Sequence, residues 1–167
     1  MTLDRASVIG QYRKSAVLLI GTVTLSAALS FDGYARIIVE RPLDFGTILI
    51  SDHAQASRVQ VKANGQSATN GGVHLVTGAQ AASIMLSSLP AQTNVAVSTN
   101  IITPQMSHSN LAVSGIKLIQ LEHTDRVFTD TLGNAHLNIG GTIEITGNPA
   151  QYPDGTYRVW ASIEVNY

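Results

Sequence analysis

Five histidines, His53, His74, His108, His123 and His136, are the side chains best suited to bind a metal or carry a proton near neutral pH. A zinc site needs such ligands at set spacings, as in H-E-x-x-H, and none of the five stands in one. His123-Thr124-Asp125 comes nearest, because alternate residues share one face of a strand, and Asp130 follows closely. Without a second ligand pair, the run reads as a polar loop behind an apolar strand. The carboxylates Asp44, Glu122, Asp125, Asp130, Glu144 and Glu164 are scattered and show none of the pairing that glycoside cleavage requires. No G-x-S-x-G elbow or Walker loop occurs. The absence of cysteine excludes thiolate metal sites, thiol nucleophiles and disulfides. The chain therefore reads as a non-enzyme with no metal and no cofactor.

Two further ligand classes find little support. A formal charge of -1 provides no basic field for nucleic acid or anionic lipid. Trp160 could stack on a sugar or touch a neighbouring subunit. Only Phe45, Phe128, Tyr152, Tyr157 and Tyr167 accompany it beyond residue 35, so it is read as a covered packing residue, and Phe45 and Tyr157 as core.

The elements that hold these residues begin after an address. Arg5, Arg13 and Lys14 precede Ser15 to Ser30, a run with no charged residue. Gly33-Tyr34-Ala35 then offers small residues at the positions a signal peptidase reads. The run is short for a bilayer span of about 20 apolar residues. Residues 1–35 are expected to be a cleaved signal peptide, with cleavage after residue 30 as the alternative. Residues 36–167 form one domain with no membrane segment of its own. Export to the periplasm, and then to the cell surface or an extracellular fibre, is the expected itinerary.

Beyond Ala35 the pattern has period two. Arg36 to Glu40 is β-branched, Leu43 to Ile48, Arg58 to Lys62 and Asn94 to Ser98 alternate, and Val73 to Thr77 and Ser83 to Leu86 are short strand-like runs. Leu111 to Leu121 is a further strand, with Gly115 as a candidate bulge. Leu137, Ile139, Gly141, Ile143 and Ile145 share a face. Asn64-Gly65, Asn70-Gly71-Gly72 and Pro153-Asp154-Gly155 are turn signals. In the last run, Tyr157, Val159, Ala161, Ile163, Val165 and Tyr167 occupy one face, and Arg158, Trp160, Ser162, Glu164 and Asn166 the other. No helical period appears. A hydrophobic content of 44% is enough for a core, and short strands between turns predict an antiparallel, immunoglobulin-like β-sandwich.

Two stretches carry a resemblance. Pro42-Leu43-Asp44-Phe45-Gly46-Thr47-Ile48 opens the domain, and Tyr152-Pro153-Asp154-Gly155-Thr156-Tyr157-Arg158-Val159, running on to Val165-Asn166-Tyr167, closes it. Together they resemble an uncharacterised family of secreted bacterial β-sandwich domains, pilin-like and without cysteines, whose members are often encoded near fimbrial assembly components. The closing strand is also similar to that of subunits assembled by the chaperone–usher route. Those end in alternating apolar residues, with a Gly near the start of the strand and a Tyr near the terminus. Gly155 and Tyr167 stand twelve residues apart, although Tyr167 is the last residue rather than the penultimate one.

The resemblance implies a structural subunit of a pilus or fimbria, with a role in cell adhesion. Its partners would be copies of itself, a periplasmic chaperone and an outer-membrane usher. An incomplete sandwich exposes a sheet edge, and a strand from a neighbour completes it. On this reading Gly155, Tyr157, Val159, Ile163, Val165 and Tyr167 form the accepting strand, and Ile37, Ile38 and Val39 the donor. The alternative is that Arg36 to Glu40 is the first strand of a complete monomeric sandwich that binds a ligand in the periplasm or at the cell surface.

Overall fold

The computed structural model describes residues 35–108, 115–147 and 152–167. The expected export segment, residues 1–35, lies outside the described residues apart from Ala35. Every described element is a strand: β1 (Arg36–Arg41), β2 (Thr47–Ile50), β3 (Ser57–Val61), β4 (Ser67–Asn70), β5 (Val73–Thr77), β6 (Ala82–Ser87), β7 (Asn94–His108), β8 (Ile116–Glu122), β9 (Arg126–Phe128), β10 (Ala135–Ile145) and β11 (Tyr157–Asn166). All pairings are antiparallel. The all-β, antiparallel expectation holds.

Alternation becomes strand wherever one face can be buried. In β3, β6 and β11 the apolar residues of each alternating run are the buried ones, and their neighbours point outward. The core joins Leu43, Phe45, Ile48, Val59, Ile84, Leu86, Ile116, Leu118, Leu137, Ile139, Ile143 and Tyr157, each at most 2% exposed. Each buried aliphatic or aromatic side chain contributes roughly 1.5–3 kcal/mol. With no disulfide, this core and the ladder hydrogen bonds hold the domain together.

Hydrogen bonds link the strands in the path β1-β6-β10-β8-β7-β11; β3 joins β10, β4 joins β3, and β9 joins β7, while β2 and β5 form a separate pair. β10 is the hub. Ala135 to Ile139 pair with β6, whereas Gly141 to Ile145 pair with β3 and Gly140 to Ile145 with β8. Gly140 and Gly141 sit at this handover because side chains would not fit. A Cβ on Gly140 would lie 2.6 Å from the Lys62 carbonyl carbon and collide with the Val61 oxygen. A Cβ on Gly141 would lie 2.9 Å from Leu43 Cδ2 and 3.2 Å from Phe45 Cζ. The Leu43-x-Phe45 opening motif is thus a plug seated on the glycine floor of the central strand.

Four details differ from the sequence reading. Leu43 to Gly46 is not a regular strand: it makes a single bridge, Asp44 to Gln80, and β2 starts at Thr47. Of the expected Leu111 to Leu121 strand, residues 111–114 lie outside the described residues; Gly115 precedes β8, and the irregularity falls between Thr142 and Ile143 of β10, opposite Ile119. β7 runs far past Ser98, to His108. β4 and β9 were not anticipated. β4 is Ser-Ala-Thr-Asn, exposed throughout, and is a strand because β3 offers it an edge. β9 has only three residues, on the edge of β7.

Candidate functional site

The closing motif builds a corner. The Tyr157 hydroxyl donates to the Pro153 carbonyl at 2.8 Å, which ties the start of β11 to the turn before it. The His108 ring meets the Tyr157 ring edge-on, with centroids 5.0 Å apart, and its Nε2 lies 3.3 Å from the Asp154 carbonyl. Gly155 is needed for space, because a Cβ there would run into the His108 ring. Burial pushes the Tyr157 hydroxyl up to about 12, with the Asp154 and Tyr152 charges adding to the effect. Pro153-Asp154-Gly155 is therefore a turn locked from both sides.

From that corner β11 runs beside β7, from Tyr157 opposite His108 to Asn166 opposite Ala96. The pairing shifts twice. Arg158 faces Ser107 while Trp160 faces Thr103, and Ala161 faces Ile101. The extra residues all belong to β7, around Pro104 and at Ile102. β11 itself alternates without an insertion. β7 is its sole strand partner among the described residues, so β11 lies at one end of the strand path and β1 at the other. Ten residues of edge span about 33 Å. An edge of this length is a template for another strand.

The expected accepting residues have divided roles. Tyr157, Val159 and Ile163 are at most 3% exposed and are filled by the chain's own core. Val165 is partly buried against that core, and Tyr167 is 58% exposed. The expected donor residues are elsewhere. Ile37, Ile38 and Val39 stand opposite Leu86, Met85 and Ile84 in the chain's own sheet. Ile37 and Ile38 are half-buried and Val39 is 38% exposed. The fold therefore does not bring the two expected sets together within one chain.

The outward face of β11 was underweighted. Trp160, expected to be covered, is 38% exposed opposite Thr103, beside the exposed Ile102. Arg158 and Glu164 flank it, both exposed. The signal was present in the sequence as a mixed-charge face around the chain's one tryptophan.

The chemical candidates stay apart. Among the described residues no three of His, Asp and Glu gather as a metal set. His123 sits in the loop after β8, with its Nδ1 3.1 Å from the Thr124 carbonyl. Asp130 instead caps a turn, its Oδ1 accepting the Leu132 and Asn134 amides at 2.8 Å each. These bonds hold its carboxyl below the usual range, the Asn134 amide most of all, against some desolvation. One motif was overlooked, since Ser114-Gly115-Ile116-Lys117 has S-x-x-K spacing. That spacing aligns two side chains on a helix, whereas Lys117 lies on the exposed face of strand β8.

Fold and edge together define a class: an all-β, antiparallel domain whose final strand, among the described residues, ends the sheet with one side unpaired. A family model described as a domain of unknown function, DUF4402, matches residues 37–167, and the chain belongs to this family. No curated protein and no solved structure matches it.

Proposed function

We propose that this domain is a structural subunit of a bacterial surface fibre, joined to its neighbours by donation of a β-strand to the open edge of β11. The observation that carries the reading is that edge: ten residues without an inserted residue, all irregularity being displaced onto β7. β-Augmentation needs such a row of backbone groups. β1 suits the donor role because its side chains are at most half-buried. None of its six residues is fully buried, so leaving β6 would uncover little core. A head-to-tail donation of this kind does not close on itself and builds a filament. The implied partners are copies of the chain, with a periplasmic chaperone and an outer-membrane usher guarding the edge in transit after export.

One observation favours a second reading. β1 pairs with β6 from Arg36 to Arg41, as the first strand of a self-sufficient monomeric binding module would.

Protein sheared from cells and run on a gel with and without boiling separates the two. A ladder of multiples that collapses on boiling supports strand donation. A single band at the monomer mass in both lanes refutes it in favour of the module. Replacing Val165 and Tyr167 together by Ser is expected to stop the subunit accumulating, and normal accumulation of that variant counts against the fibre.

A further inference from the structure

We propose that β11 is self-complementary and that two copies of the chain close their open edges on each other as a two-fold dimer. This rests on the reading of the β11 edge as an assembly surface, but it names a different occupant: the β11 of a second copy.

The case begins with two charges. Arg158 and Glu164 lie on the outward face of β11, both exposed. Among the described residues the ion pairs are Arg58 with Glu144 and His136 with Glu40, so neither Arg158 nor Glu164 has an ion-pair partner among them. Six residues of strand, about 20 Å, keep them from pairing with each other. Two β11 strands placed antiparallel about Ala161 solve both problems at once. Each Arg158 then stands directly opposite the other copy's Glu164, and each Trp160 opposite the other Ser162. Opposed charges on facing strands attract, and the two pairs form symmetrically.

The same register treats the rest of the face well. The two Trp160 side chains become diagonal neighbours, about 7–8 Å apart along the backbone, which is within reach of large aromatic rings. On the inward side Tyr157 faces Val165, Val159 faces Ile163, and Ala161 faces Ala161, so no bulky pair meets at the axis. A shift of two residues along the strand breaks both ion pairs. The charges thus select one register, and the uninterrupted edge of β11 allows it.

The pairing has a consequence for assembly. A closed dimer hides the edge that a donor strand needs, so dimer and fibre compete for one surface. The dimer is then a capped, storable form of an otherwise aggregation-prone edge.

The test uses the chain as purified from expressing cells, with mass by light scattering and emission from Trp160, the chain's one tryptophan. The wild-type chain is expected to double in mass with concentration, and its emission to shift to the blue as Trp160 is covered. R158E sets carboxylate against carboxylate and E164R sets guanidinium against guanidinium, in two places each. Either is expected to weaken the dimer roughly tenfold or more, from two reversed cross-strand pairs. Both sites are exposed, so folding is not at stake. An equimolar mixture of R158E and E164R is expected to dimerise again, because each chain then offers the other the missing sign. A wild-type chain that stays monomeric, single variants that associate like wild type, or a mixture that does not recover each overturns the proposal. A surface ladder that persists while the dimer is absent leaves the fibre reading standing and removes only the dimer.

Discussion

Replacing Tyr157 by Phe isolates one hydrogen bond in a position where nothing else changes. The ring is 1% exposed and packs in the core, and Phe fills the same space. What is lost is the hydroxyl and its 2.8 Å bond to the Pro153 carbonyl. A net hydrogen bond contributes about 0.5–1.5 kcal/mol, and a half-buried carbonyl left without its donor costs somewhat more, so a loss of about 1.5 kcal/mol is expected. With an unfolding entropy of about 2.1 cal/mol/K per residue, a domain of this size should melt about 5 °C lower. The pH dependence gives a second, independent reading. The folded-state pKa of Tyr157 lies at about 12, above the ordinary value of 10.0. The unfolded chain therefore releases this proton first as pH rises, and stability falls. The Tyr157 contribution is fully present below pH 10 and is lost between pH 10 and about 12. In Y157F that part of the alkaline decline disappears. Thermal melts of both proteins from pH 7 to 12, followed by near-ultraviolet circular dichroism, measure both effects. An unchanged melting temperature at pH 7, together with an identical alkaline decline, would refute the account of the corner.

Other predictions concern the frame. Gly140→Val drives a branched side chain into the Val61–Ala63 backbone and should separate β10 from β3, lowering stability by about 3 kcal/mol or more, as overpacking against backbone does. Urea unfolding measures it, and a near-neutral result would mean that the β10 handover is not tight. The Asp130 carboxylate should titrate below an ordinary aspartate in carbon-13 NMR, because the Asn134 and Leu132 amides favour its charged form. Its contribution to stability is present above the unfolded-state pKa and is lost as pH falls through the lowered folded value. A normal titration would show that the Asx turn from Asp130 to Leu132 is not formed in solution.

The strands that alternate and are half-buried were legible in the chain. β3, β6, β10 and β11 were read at nearly their true limits, because period two with β-branched residues on one face has no other stable use. The roles of Phe45 and Tyr157 as core residues were equally legible, as was the turn at Pro153-Asp154-Gly155. β4 was not, since Ser67–Asn70 has no apolar face and its pairing comes entirely from β3. The length of β7 was hidden for a similar reason: Pro104 and the polar residues around it look like a loop until β8 and β11 supply partners on either side.

The sequence by itself determined the all-β class, the cysteine-free core and which face of each alternating run turns inward, because burial of apolar side chains is a local, period-matched requirement. It also placed a turn at Pro153-Asp154-Gly155, just before the last strand. The tertiary structure alone decided the neighbours. β1 lies on β6, β10 changes partners at Gly140, and among the described residues β11 ends the strand path. Those outcomes depend on which backbone edges meet across long stretches of chain, and edge pairing uses the same N–H and C=O groups whatever the side chains are. For that reason the residues of the edge could be named from the sequence, while the position of that edge at the end of the strand path, and the absence of an ion-pair partner for Arg158 and Glu164 among the described residues, could be found only in the fold.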